Sequence, residues 1–365
     1  MKVLLFAIRS RHKKFFVELR KKDKNIFDIV FPKYKFTFSL KGLKELKNIN
    51  LEPAIDFAVE EFCVKVIALP KFILYGYFKG LAFFYYLKYY SLIDKKYDAI
   101  LLWNGGKCRQ RVVIEIAKLH NIQPIFFENG LLPNRMVLDT KGINAENSVP
   151  RDRLFFERYH NALVLPETLI PRQPKNQKKF KQIVTTLPHS FIFIPFQVDS
   201  DTQIISNSKW IKNMRQLFDV IEELSLKTTY NFVFKEHPSS SYNYPDLHQR
   251  AKDSGQLFFA NGYATQALIQ KSLAVITVNS TVGIESLLFK KRVVVLGDAF
   301  YRIDGITKGV SDLEMLHKVF LDLESWIYEE KLVENFLKYL YYDYLIPKDE
   351  NLYTHFYDFI KKVIK

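Results

Sequence analysis

The chain has 365 residues, is 48% hydrophobic and 15% aromatic, and carries a formal net charge of +15. That is enough apolar chain for two packed domains, yet no uninterrupted apolar stretch reaches the length of a bilayer span. Two cysteines, Cys63 and Cys108, are too few and too scattered for a disulfide framework or a zinc site, so the cytosol is the default compartment.

Lys2–Ile8 reads as a first buried strand. Arg9, Arg11, His12, Lys13 and Lys14 cut its apolar run short, and no small-residue cleavage site follows, as a signal peptide would need. Lys71–Tyr90 mixes aromatic residues with lysines, and the tail from Lys331 to Lys365 repeats that flavour. Both segments suit a membrane interface, where rings and cations are well placed, and both also suit a core helix with a solvated lysine face. Ala99–Trp103 reads as a buried strand, Asn104-Gly105-Gly106 as a turn and Lys107–His120 as a helix. Pro124–Glu128 is the next strand, ending at Asn129-Gly130. Between Tyr159 and Gln182, Pro166, Pro171 and Pro174 alternate with Arg172, Lys175, Lys178, Lys179 and Lys181, the composition of an inter-domain linker.

The second half restarts the pattern. Phe191–Pro195 reads as a strand, followed by a helix with Trp210, Met214, Leu217, Phe218, Ile221 and Leu224 on one face. Phe232–Phe234 is a strand ending at Lys235-Glu236-His237-Pro238, and Leu257–Phe259 is another. The apolar run Leu273–Val278 then breaks at Asn279-Ser280-Thr281, a short helix follows, and Val293–Leu296 ends in Gly297. Strand, polar turn, helix and strand form the half-unit of nucleotide-binding sheets. From Leu313 onward the chain reads helical. The expected fold is α/β: two Rossmann-like domains facing across a cleft, the GT-B arrangement among nucleotide-sugar enzymes, with a helical C-terminal extension. The expected boundaries are 1–170 for the first domain and 183–325 for the second, with 326–365 packing back on the first.

Several residues can carry chemistry. Ser280 and Thr281 stand where a helix begins, and Lys235 and His237 stand at the carboxyl end of a strand. Together they suit a two-sided phosphate clamp. Glu285, one turn into the helix, suits ribose hydroxyls, and Gln197 follows the first strand of the second domain. In the first domain the long polar loop after Glu128-Asn129-Gly130 brings Glu128 and Asp139 to one sheet edge, a pair compatible with retaining glycosyl transfer. Asn104 ends a strand of the same domain and can touch donor or acceptor. Glu60 and Glu61, acids in an otherwise apolar segment, suit a catalytic base or, more simply, a solvated helix face. No Gly-x-x-x-x-Gly-Lys-Ser/Thr loop, Gly-x-Gly-x-x-Gly fingerprint, Gly-x-Ser-x-Gly elbow or His-Glu-x-x-His pair is present. The positive charge suits a negative partner, but no nucleic-acid-binding signature is found, so no nucleic acid is expected.

Six blocks occur in an order that resembles the bacterial capsule polysaccharide biosynthesis and export family. They are Phe127-Glu128-Asn129-Gly130-Leu131-Leu132-Pro133; Asp139-x-x-Gly142-Ile143-Asn144-x-x-Asn147-Ser148-x-Pro150-Arg151-Asp152; Gln197-x-x-x-Asp201-x-Gln203; Lys235-x-His237-Pro238; Thr277-Val278-Asn279-Ser280-Thr281-Val282-Gly283; and Gly297-x-Ala299-x-Tyr301-x-x-x-Gly305-Ile306-Thr307. The family's characterised members resemble retaining β-Kdo glycosyltransferases. The resemblance implies a GT-B fold, CMP-Kdo as donor with no metal or other cofactor, and a lipid-linked or polysaccharide acceptor met at the inner-membrane surface from the cytoplasmic side. It casts Asp139 as the nucleophile of a glycosyl-enzyme adduct and Glu128 as a second catalytic carboxylate. Lys235, His237, Asn279, Ser280, Thr281 and Gln197 become donor contacts, with Glu285 near the ribose. Asn144, Asn104 and Arg151 become Kdo or acceptor contacts, Arg151 or Lys141 pairing with the sugar carboxylate. A β-linked donor and a β-linked product require two inversions through a covalent intermediate. Alternatives are a GT-B transferase using CMP-sialic acid or a CDP-polyol, and a non-catalytic capsule-export scaffold.

Overall fold

A computed structural model describes residues 1–34, 39–65, 69–166 and 186–364. Most of the expected linker, residues 167–182, lies outside the described residues. In chain order the described strands are β1 (Val3–Phe6), β2 (Phe27–Val30), β3 (Ala99–Trp103), β4 (Gln123–Asn129), β5 (Arg135–Asp139), β6 (Phe191–Pro195), β7 (Asn231–Lys235), β8 (Leu257–Phe259), β9 (Ala274–Thr277), β10 (Arg292–Val295), β11 (Lys308–Gly309) and β12 (Ile346–Pro347). They form two six-stranded sheets, β2-β1-β3-β4-β5-β12 and β8-β7-β6-β9-β10-β11.

The central strands are apolar because helices cover both faces of a parallel sheet. Every residue of β1 is buried, as is every residue of β6 and β9. The second sheet is parallel throughout. Numbered within its own half, its order is 3-2-1-4-5-6, that of a dinucleotide-binding Rossmann sheet. The helix Met214–Ser225 after β6 buries Met214, Leu217, Phe218, Ile221 and Leu224 on one stripe. Asn213 caps it by accepting from the Gln216 amide at 2.8 Å, while Trp210 stays outside the helix and packs on the same core.

In the first sheet β1 to β4 are parallel, but β5 runs antiparallel to β4, and β12 antiparallel to β5. Glu128 and Asp139 therefore lie on antiparallel neighbours: Asp139 stands opposite Phe126, and Val137 stands opposite Glu128. With a side-chain period of two, both carboxylates project to the same face, one step apart rather than at one sheet end.

The chain divides into two compact units, Met1–Ser148 with Tyr344–Lys365, and Val149–Asp343. These boundaries fall elsewhere than the sequence suggested, for two local reasons. Strand β12 pairs with β5, and the helix Leu352–Val363 buries Leu352, Phe356 and Ile360 among Phe16, Phe127 and Met136, so the tail from Tyr344 belongs to the first unit. Residues 149–166 belong to the second, where the helix Arg153–Arg158 packs on the helix Glu330–Lys338. There Phe156 meets Phe336 at 5.2 Å, the buried Asn335 amide donates to the Phe156 carbonyl at 2.8 Å, and Arg153 pairs with Glu329 at 2.7 Å. The first residues of the expected linker are tied down in the same way, with Lys338 Nζ donating to the Asn161 carbonyl at 3.1 Å.

One buried group in the first unit carries a pH signature. His12 stacks on Trp103 at 5.1 Å, is 2% exposed, and neither ring nitrogen has a hydrogen-bond partner. Burial, helped by Arg11 and Arg9, pulls its pKa down to about 4. Between that value and the usual 6.5 the unfolded chain binds the proton and the folded one does not, so stability rises with pH across this window. Lowering the pH from 7 to 4 should cost up to about 3 kcal/mol at this residue. Urea titrations of the wild type and His12→Phe at both pH values check this: the variant should lose that part of the pH dependence, and parallel pH dependences would refute it.

Candidate functional site

In an open α/β sheet, ligands bind outside the carboxyl ends of the strands where the strand order reverses. In the second unit that point lies between β6 and β9, followed by Gln197 and Asn279. These two amides clasp each other: Gln197 Nε2 donates to Asn279 Oδ1 at 2.9 Å, and the Asn279 backbone amide donates to Gln197 Oε1 at 3.1 Å. Asn279 Nδ2 donates to the carbonyls of Gln203 and Asn207 at 2.9 and 3.0 Å. Asn279 is 1% exposed, so the geometry makes Asn279 and Gln197 a bridge that holds the switch point. Asp201 caps the short helix Thr202–Asn207 by accepting from the Gln203 amide at 2.9 Å. The Gln-x-x-x-Asp-x-Gln block is thus scaffold for this bridge.

The bridge positions Ser280 and Thr281, both half-buried, ahead of the seven-residue helix Val282–Leu288. Ser280 Oγ accepts from the Val282 amide at 3.2 Å, leaving its own proton to donate. Gly283 is required here because a Cβ would come within 2.7 Å of the Tyr301 hydroxyl. Tyr301 is fully buried; its hydroxyl donates to the Ser280 carbonyl, and its own carbonyl accepts from Thr307 Oγ1 at 2.8 Å. The Gly-x-Ala-x-Tyr-x-x-x-Gly-Ile-Thr block is the brace behind the turn. Glu285 lies in the helix, partly exposed.

On the same rim, β7 ends in Lys235-Glu236-His237. Lys235 Nζ donates to the carbonyls of Asn261 and Tyr263 at 2.9 and 2.6 Å, and burial holds its ammonium below the usual lysine range. It pins the loop after β8. Glu236 is 5% exposed and accepts from Asn261 Nδ2 at 2.9 Å, with His248 Nε2 at 2.7 Å. His248 in turn stacks on Phe259 at 3.9 Å. His237 Nδ1 accepts from the Ser239 amide at 3.1 Å, so a neutral ring carries its proton on Nε2, a donor suited to a phosphate oxygen. Glu236, His248 and Asn261 escape motif reading because each acts by fixing a neighbour.

The first unit holds the carboxylates. Asp139 ends β5 and is 1% exposed. Its Oδ1 accepts from the amides of Lys141 and Gly142 at 2.7 and 3.4 Å. Its Oδ2 accepts from the Ser148 amide, the Ser148 hydroxyl and the Tyr344 hydroxyl at 2.7, 2.8 and 2.9 Å. A carboxylate with both oxygens so engaged and almost no exposed surface is poorly placed to attack a sugar. Asp139, expected as the nucleophile, instead ties the loop 140–148 into a closed ring. That loop presents the turn Asn144–Glu146, with Asn144 at φ +56°, and Glu146 is exposed and interacts electrostatically with Arg111. Gly142 leaves room for it: a Cβ there would lie 2.7 Å from the Glu146 Cβ.

Glu128 is half-buried near the end of β4, where Asn104 Nδ2 donates to its Oε1 at 3.1 Å. Asn104 itself adopts φ +71°, a conformation asparagine tolerates, and its amide extends the ladder to the Phe127 carbonyl at 3.0 Å. Glu61 pairs with Lys107 at 2.9 Å and Glu60 with Lys71 at 3.0 Å, as expected of a solvated helix face. Arg151 lies in the second unit, its guanidinium 5.6 Å from the Phe300 ring centre, whereas Lys141 and Asn144 lie in the first.

The two sheets define a two-unit α/β protein whose second unit has the strand order of a Rossmann sheet. More specifically, residues 171–343 match the model of the family described as capsule polysaccharide biosynthesis protein. Protein FixF of Sinorhizobium fredii is 35% identical over 268 residues, covering 72% of this chain and 63% of its own length. The chain thus spans less than two thirds of that relative. The capsule polysaccharide export protein KpsS of Escherichia coli is 22% identical over 277 residues, covering 59% of this chain and 71% of its own. Among solved structures, Thermosulfurimonas dismutans KpsC, a beta Kdo 2,7 transferase, aligns at 16% identity and a TM-score of 0.48, covering 99% of this chain and all of that one.

Proposed function

We propose that this protein is a retaining β-Kdo glycosyltransferase. It moves Kdo from CMP-Kdo to a lipid-linked or polysaccharide acceptor in surface-glycan assembly, at the cytoplasmic face of the membrane. The match to the capsule polysaccharide biosynthesis family supports this substrate class. The observation that carries the site is the Gln197–Asn279 bridge, which holds the Ser280-Thr281 turn on the rim that also bears His237. Hydroxyl donors and an imidazole Nε2–H at the carboxyl ends of β7 and β9 suit the phosphate of a nucleoside monophosphate. Glu285 is assigned to the ribose, and Lys235 acts by holding the loop that borders the phosphate.

The reacting groups are assigned to the first unit. The Glu146 carboxylate attacks the anomeric carbon of the donor, the carbon–oxygen bond to the phosphate breaks, and CMP leaves. An acceptor hydroxyl then attacks the same carbon, its proton passes to Glu128, and the ester bond to Glu146 breaks. Two inversions retain the β configuration. Asp139 keeps the loop in shape throughout, while Asn104 orients Glu128 and Asn144 opens the turn that carries Glu146. Arg151 is assigned to the sugar's own carboxylate.

His237→Ala should weaken CMP binding about tenfold or more, as expected for one hydrogen bond to a charged group, with no change in melting temperature. Isothermal calorimetry with CMP reads this directly; an unaltered affinity would remove His237 from the donor site.

A further inference from the structure

The helix Lys71–Tyr90 of the first unit turns one face inward, burying Leu74, Ala82, Tyr86 and Tyr89. Its other face is apolar as well. Phe72 is 77% exposed and Tyr77 65%, and Ile73 and Phe84 are exposed with them. Ile73, Tyr77 and Phe84, at spacings of four and seven residues, share one stripe, and Phe72 lies about 100° round the helix from Ile73. Lys79, seven residues after Phe72, is exposed on the Phe72 side of the helix. The neighbouring helix Leu40–Glu45 is locked to this one by the Tyr86 hydroxyl, which donates to the Gly42 carbonyl at 2.8 Å. It adds exposed Leu40 and Leu43, with Lys41, Lys44 and Lys47 around them. Of the nearby acids, Glu52 is bonded by Tyr75 and Glu60 pairs with Lys71, while Asp56 is exposed beside Phe72. A groove of about 400 Å³ opens beside the helix, its apolar lining including Leu46, Ile49, Ile55 and Phe83, with Asn50, Glu52 and Lys79 also at its wall. Among the described residues no helix is long and apolar enough to cross a membrane.

The geometry points to this face as the surface that docks on an anionic lipid bilayer. Phe72, Ile73, Tyr77 and Phe84 enter the headgroup–acyl boundary, the lysines meet lipid phosphates, and the groove takes an acyl chain. Exposed rings and aliphatic side chains without charges between them fit no aqueous role, and the cations on the same side match an anionic surface rather than a neutral one. This deepens the membrane part of the reading above and rests on no assignment of donor or nucleophile.

Vesicle flotation of the whole chain tests it, with phosphatidylcholine alone and with about one third phosphatidylglycerol added. The wild type should float with the anionic vesicles and bind neutral ones at least about tenfold more weakly. Phe72→Ser/Tyr77→Ser/Phe84→Ser should lose at least about tenfold in binding to the anionic vesicles while keeping its melting temperature, since all three side chains are exposed. Lys41→Glu/Lys44→Glu/Lys79→Glu should do the same and offers a second arm if the first variant misfolds. Release of CMP from CMP-Kdo without vesicles, read in parallel, should be unchanged in both, which separates a failed docking surface from a failed enzyme assignment. The proposal is overturned if folded wild type ignores anionic vesicles, or if both variants bind them as the wild type does. It is equally overturned if light scattering shows the triple serine variant dissolving a dimer while no vesicle binding occurs.

Discussion

Glu146→Gln should abolish transfer, lowering turnover of CMP-Kdo by about a thousandfold or more while leaving stability within about 0.5 kcal/mol of the wild type. The expectation follows from the two carboxylates of one loop. Asp139 is enclosed and accepts hydrogen bonds from Lys141, Gly142, Ser148 and Tyr344, whereas Glu146 is exposed on the turn that this ring of bonds holds. To attack, Asp139 would have to give up donors each worth roughly 1.5–3 kcal/mol to a charged acceptor, while Glu146 loses only hydration and its interaction with Arg111. Replacing carboxylate by amide at an exposed position changes little in the fold but removes the nucleophile. Donor turnover and urea unfolding on the same preparation check both halves; near-normal turnover in Glu146→Gln would exclude it as the attacking group.

Asp139→Ala should instead cost about 3 kcal/mol of stability and remove activity with it. The substitution strands the Ser148 amide and hydroxyl, the Lys141 amide and the Tyr344 hydroxyl around a position that is itself 1% exposed. Because Tyr344 begins the tail that pairs through β12, the variant should also loosen the C-terminal helix. Hydrogen exchange should show amides of Leu352–Val363 opening faster than in the wild type. A variant as stable as the wild type but inactive would return the nucleophile's role to Asp139.

The contrast between these residues shows what the sequence could and could not disclose. The β6 and β9 strands, and the turn at Asn279-Ser280-Thr281, were legible because a buried parallel strand is a continuous apolar run and the turn breaks it sharply. Short edge strands were not: β11 and β12 have two residues each, too few for any period to emerge. Strand β5 reads as part of a polar loop because Arg135 and Asp139 bound it and it pairs in the antiparallel sense. The six ordered blocks name residues without saying which way they face. Asn279, Gln197 and Lys235 look like ligand contacts as letters, and their hydrogen bonds add a bracing role that the letters do not show. Asp139 differs for the same reason: its partner Tyr344 is 205 residues away, a distance at which no local pattern carries information.

Mass spectrometry of the intact protein after brief incubation with CMP-Kdo, followed by peptide mapping, reads the covalent intermediate itself. The account expects a species heavier by one Kdo residue, with the sugar on the peptide containing Glu146, and its disappearance when acceptor is added. Steady release of CMP into acceptor-linked product with no protein-bound sugar at any time point would contradict it.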